Sequence, residues 1–177
     1  MPPRIFLFSL SLLASAPLGC ATDAEPTAVP VTPPVSVQGP SPEEVGRYLF
    51  LFGGCNDCHT PGWSESDGKL PEAEWALGSM LGYRGPWGTS YAENLRLAAA
   101  ARTERQWVQL FRQSAGLPPM PWMNYRAMAE ADLVAIHRFL RSLGVRGVHA
   151  PDTVPPGVVP STPYLDFVPR MPGSRRP

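Results

Sequence analysis

Cys55-Asn56-Asp57-Cys58-His59 sets two thiols three residues apart, with an imidazole directly after the second. Thiols at this spacing can add across the two vinyl groups of a haem. The neighbouring histidine then lies beneath the iron as its proximal ligand. The pattern predicts one haem c, covalent through Cys55 and Cys58, with His59 as a metal ligand. The chemistry implied is single-electron transfer.

Two rival chemistries use the same residue types. A structural zinc site needs four ligands, usually as two separated pairs. Outside the motif the soft ligands are Cys20, His137 and His149, and no second Cys-x-x-Cys or His-x-x-x-His occurs. A thioredoxin-like redox pair needs a strand before the motif and a helix opening at its first cysteine, within a βαβ unit. Here the residues before Cys55 read as a helix, and no series of strands is evident. A disulfide scaffold is a poor fit to a chain with three cysteines.

A sixth ligand is expected from Leu117-Pro118-Pro119-Met120-Pro121-Trp122. Prolines on both sides of Met120 stiffen the backbone and remove competing N–H donors, as suits a loop presenting a thioether. Ligation by His59 and Met120 would raise the reduction potential and keep the iron saturated. Met80, Met123 and Met128 lack the proline bracket. His137 falls within a helix and His149 in the tail. The alternative from another functional class is a haem c sensor or peroxidase-like domain with an open sixth site.

Arg84-Gly85-Pro86-Trp87-Gly88-Thr89-Ser90-Tyr91 is rich in groups that suit propionates. Arg84, the polar tips of Trp87 and Tyr91, and Asn94 can each hydrogen-bond a carboxylate. A packed aromatic loop with no such contact accounts for the same residues equally well.

The elements that must position these groups read as helices. Ser41-Pro42-Glu43-Glu44 is a helix start with a cap, a first-turn proline and a capping box. The helix should run to about Phe52 and break at Gly53-Gly54. Glu130 to Leu143 carries Leu133, Ile136, Phe139, Leu140 and Leu143 at helical spacing, with Gly144 as the stop. Gly46 in the first helix invites a close crossing by Phe139 or Leu140. Thr103-Glu104-Arg105-Gln106 is a second capping box, opening a helix to about Ser114, and Pro71 to Gly78 is a weaker helical stretch. Segments 60–70, 79–92 and 115–127 read as loops from their Gly, Pro and Ser content. The expected fold class is all-α, with short helices and loops wrapped around one haem.

These segments resemble a class I cytochrome c, in particular the small bacterial periplasmic monohaem kind. The resemblance is carried by Gly46-Arg47-Tyr48-Leu49, Gly54 to Pro61, Gly85 to Thr89, Pro118 to Trp122 and Leu140 to Leu143, and covers about Pro42 to Gly144. It implies a cytochrome c-like fold, thioethers at Cys55 and Cys58, and axial ligands His59 and Met120. It also implies an electron carrier rather than an enzyme, whose redox partners would be a dehydrogenase or a terminal oxidase. Two features depart from the family. Leu95 to Ala101 is apolar and alanine-rich where relatives have a polar, proline-containing turn. Ala129 stands where a hydroxyl or acidic cap would open the last helix.

The remaining residues bear on location. Arg4 followed by apolar Ile5 to Ala14 reads as a signal peptide, too short to span a bilayer. Pro17-Leu18-Gly19-Cys20 resembles a lipoprotein box, which would make Cys20 a lipidated first residue and the membrane a partner through that anchor. An ordinary cut after Ala16 is the other reading. The domain scheme is then a signal peptide over 1–19, a proline-rich tether over 20–40, a haem domain over 41–146 and a proline-rich extension over 147–177. An extended tether would reach about 60 Å at about 3.1 Å per residue. Fifteen basic residues balance fifteen acidic ones, with no basic run to suggest nucleic acid. Lys69 is the single lysine, so steering of acidic partners is expected to be weak. Export to the periplasmic side agrees with covalent haem attachment, which in bacteria occurs outside the cytoplasm.

Overall fold

Ser41 opens the first helix by accepting a hydrogen bond from the Glu44 N–H at 3.2 Å, while Pro42 takes the first turn. Helix α1 (Pro42–Phe52) ends at Gly53, and Gly54, with φ 67°, turns the chain into α2 (Cys55–His59). The computed structural model describes residues 35–169 and 171–173, all within one compact unit. The expected signal peptide, Cys20 and most of the tether lie outside the described residues.

The last helix, α6 (Glu130–Ser142), crosses α1 at Gly46. A Cβ at Gly46 would stand 2.8 Å from Phe139 Cβ and nearer still to the Ala135 carbonyl, so only glycine allows the approach. Around this crossing Leu49 and Phe50 of α1 meet Leu133, Ile136, Phe139 and Leu140 of α6 in a buried cluster. Full burial of each such side chain contributes about 1.5–3 kcal/mol. Trp75 joins the cluster, its ring edge-on to Phe139 and to Trp63. No side chain caps α6 at Ala129.

Helix α4 (Glu104–Gln113) begins at Thr103 with the capping box complete, and turns Trp107, Val108 and Phe111 inward. Two short helices, α3 (Leu95–Ala100) and α5 (Trp122–Ala127), fall where none was expected. Asn94 starts α3 by accepting from the N–H groups of Arg96 and Leu97. In the weaker helical stretch, only a single 3-10 turn, Glu72–Glu74, forms.

The all-α, cytochrome c-like expectation is corrected by a three-stranded mixed sheet. Strands β1 (Gly82–Gly85) and β2 (Gly88–Tyr91) form an antiparallel hairpin inside a segment that reads as loop. Strand β3 (Tyr164–Asp166) lies parallel to β1, giving the order β2-β1-β3. With six α-helices among the described residues, the architecture is mixed α and β. The strands span only four, four and three residues, too short for alternation to register, and β3 comes from far along the sequence.

Packing therefore extends past 41–146 in both directions. The Ser36 hydroxyl and the Val37 N–H both donate to Asp132 of α6, at 2.8 and 3.0 Å. At the other end Val154 exchanges both backbone hydrogen bonds with Thr89, at 2.8 and 2.9 Å. Arg96, 5 % exposed, ties three segments together: its guanidinium donates to the carbonyls of Ala73, Leu143 and Gly144. No helix among the described residues is long and apolar enough to cross a membrane.

Candidate functional site

One turn of helix organises the motif. At spacings of three and four residues Cys55, Cys58 and His59 share a face of α2. Cys55 and His59 are buried and Cys58 is half-buried. The turn is held from beyond the motif: the Thr60 hydroxyl donates to Asn56 Oδ1 at 2.5 Å and accepts from the Ala76 N–H at 2.8 Å. The Gly78 N–H donates to the His59 carbonyl at 2.9 Å.

The imidazole itself is fixed by the Glu93 backbone. His59 Nδ1 lies 2.7 Å from the Glu93 carbonyl oxygen. A carbonyl only accepts, so Nδ1 carries the proton and Nε2 keeps its lone pair. Burial holds the imidazole below its ordinary pKa, against the smaller opposing pull of that carbonyl. The ring is thus neutral and oriented, as a metal ligand must be, with the backbone acceptor behind it that such histidines commonly have.

Two tyrosines stand against the thiols. Tyr125 Oη of α5 lies 3.6 Å from Cys55 Sγ. The Tyr83 phenol of β1 neighbours the Cys58 thiol. Burial pushes the Cys55 thiol up to about 11, the contact with Tyr125 only partly offsetting it. Burial, together with these thiol neighbours, also raises both phenols. A disulfide-exchange enzyme needs the reverse, a depressed thiol that is ionised near neutrality. Neither tyrosine belongs to a motif, and the tyrosines alone gave no signal of their role.

Met120 is half-buried and packs against the core cluster, whereas Met80 and Met123 are 57 % and 64 % exposed. Met128 is also half-buried against the core, but lies beyond α5. The Met120 loop is tied to the sheet, where the Ser90 hydroxyl donates to the Pro118 carbonyl. Ser90 in turn reaches the Tyr83 carbonyl at 3.5 Å, so β1 and β2 link the Cys58 neighbour to the methionine loop. His137 is buried within α6 with Nε2 at 3.0 Å from the carbonyls of Ala99 and Arg102, and His149 is exposed in the tail.

The groups expected for propionates also make contacts within the chain. Trp87 Nε1 donates to the Tyr83 carbonyl at 3.2 Å, and the Tyr91 hydroxyl lies 2.7 Å from the Thr162 hydroxyl. Arg84 sits over the Tyr164 ring at 5.4 Å, and Asn94 donates to the carbonyls of Arg146 and Val148. The Tyr91 and Arg84 contacts stitch the loop to the C-terminal segment.

Two thiols on one helix face beside a neutral, oriented imidazole fit a covalently held haem. Among the described residues no group of three or more His, Cys, Asp or Glu side chains is placed to hold a bare metal ion. Comparisons with protein-family models, with curated proteins and with solved structures found no match to this chain.

Proposed function

We propose that this chain carries one haem c, thioether-linked at Cys55 and Cys58 with His59 and Met120 as iron ligands. In that role it passes single electrons between redox proteins. The observation that carries the reading is the His59 imidazole, fixed through Nδ1 on the helix face that also bears both thiols. When bound, the haem iron supplies a one-electron couple, its potential raised by a thioether ligand.

The protein's own residues have the remaining tasks. The Glu93 carbonyl sets the tautomer of His59 and the tilt of its ring. The apolar cluster behind Cys55 keeps water from that side, lowering the reorganisation that a change of charge demands. The raised Cys55 thiol speaks against a thiol oxidoreductase. Partners of the dehydrogenase or terminal-oxidase kind would meet a surface with one lysine, so association rates should depend weakly on salt. Lipidation at Cys20 would hold the protein at the periplasmic face of a membrane.

A denaturing gel stained for haem tests the central claim. After expression with a working maturation apparatus, the full chain should stain, and the Cys55→Ala, Cys58→Ala double variant should not. A colourless full chain would refute the proposal. Reduced protein that shifts its spectrum under carbon monoxide would instead point to a sensor or peroxidase-like domain. Cys20→Ala should move the protein from the membrane to the soluble fraction; unchanged partitioning would remove the anchor.

A further inference from the structure

The C-terminal segment completes the sheet whose Tyr83 neighbours Cys58. Strands β1 and β2 have four residues each, and a hairpin that small is marginal alone in water. Residues 154–167 supply what is missing. β3 pairs with β1 from Gly82 to Arg84, and Val154 pairs with Thr89 of β2. The Phe167 N–H donates to the Arg84 carbonyl at 2.7 Å. Its ring packs on Tyr83 and Trp87, with centroids 6.0 and 6.2 Å away. Tyr164 lies under the Arg84 guanidinium.

The hairpin is shaped to receive this segment. Gly88 has φ 97°, and a Cβ there would run into the Val154 carbonyl and stand 2.9 Å from Pro155. At Gly82 a Cβ would meet Thr89 Cγ2 of the hairpin itself at 2.6 Å, and Tyr164 Cβ only at 3.3 Å. Gly88 opens room for the chain passing over it.

We infer that the C-terminal segment is a clamp that positions the Met120 loop through the sheet. The route consists of named contacts. Phe167 packs on Tyr83, Tyr83 pairs with Ser90 across the ladder, and the Ser90 hydroxyl donates to the Pro118 carbonyl. The consequence at the iron rests on the proposed function: with the clamp released, Met120 is no longer held as sixth ligand while His59, anchored on Glu93, stays. The mechanical link between tail and loop does not depend on it.

The experiment uses the full chain with Phe167→Ser, with Phe167→Leu as the apolar control, read by amide hydrogen exchange. In Phe167→Ser, exchange in 82–91 and in 117–122 should rise together by about tenfold, with α1 and α6 unchanged and Phe167→Leu near wild type. Faster exchange in 82–91 with 117–122 unmoved would overturn the clamp, as would no change in either segment. Faster exchange throughout the chain would also overturn it, because the tail would then be a general stabiliser. On haem-bearing protein, reduced Phe167→Ser should bind carbon monoxide where the wild type does not. A wild type lacking covalent haem would sink the functional reading, and the exchange pattern would still decide the clamp.

Discussion

The α1–α6 crossing and the β2-β1-β3 sheet both brace the Cys55–His59 turn, but with different physics. The crossing is apolar and dry. Phe50, Leu133 and Leu140 are fully buried there, and a glycine lets two backbones nearly touch. The sheet is thin: β3 is exposed along its length, and single hydrogen bonds carry its reach to Pro118. Buried area is hard to lose in pieces, while an exposed ladder opens locally. The molecule thus sets the thiols and imidazole against a rigid part, while the methionine loop packs on the core from one side and is tied to the more yielding sheet from the other.

Substitutions can break that contrast. Phe139→Ala should remove the most, about 3–5 kcal/mol of unfolding free energy in a urea titration, because it empties the crossing. A loss below about 1 kcal/mol would mean that the core tolerates the cavity and the contrast is overdrawn. Ser90→Ala should cost about 1 kcal/mol. It should also speed amide exchange in 117–122 while leaving α6 protected; loss of protection in α6 would show that the sheet and the crossing unfold as one.

The smallest effect is expected outside both regions. Glu104 and Arg138 form an exposed two-pronged ion pair between α4 and α6. Arg138 holds the Glu104 carboxyl below its ordinary value. The pair therefore stabilises above the ordinary carboxylate range and fades as pH falls through the lowered value. Glu104→Gln should cost about 0.5 kcal/mol near neutral pH and less in acid, read as melting temperature against pH. A cost that grows in acid would reverse the assignment.

The helical frame was legible because its signals are local. Ser41 and Thr103 announce their helices with their own hydroxyls, and Gly46 advertises a close approach by being a glycine in a helix. The motif gave Cys55, Cys58 and His59 for the same reason. The rest depends on contacts between distant residues. The carbonyl that orients His59 belongs to the backbone of Glu93, and a backbone carbonyl carries no residue identity to read. Tyr83 and Tyr125 reach the thiols only through the final packing of β1 and α5. β3 pairs with a strand some 80 residues earlier, so nothing near Tyr164 marks it as a strand. The contacts of Arg84 with Tyr164 and of Tyr91 with Thr162 were likewise out of reach of a local reading, because the tail that makes them lies far along the chain.

The long stretch of chain between α2 and β3 has a consequence in time. A chain delivered N-terminus first presents α2 long before residues 164–166 arrive. At roughly 5–20 residues per second of synthesis, that interval lasts on the order of 5–20 s. Until it ends the ladder cannot close and Tyr83 has no support against Cys58. Cys58 waits for its Tyr83 neighbour to be braced until residues 164–166 have joined the ladder.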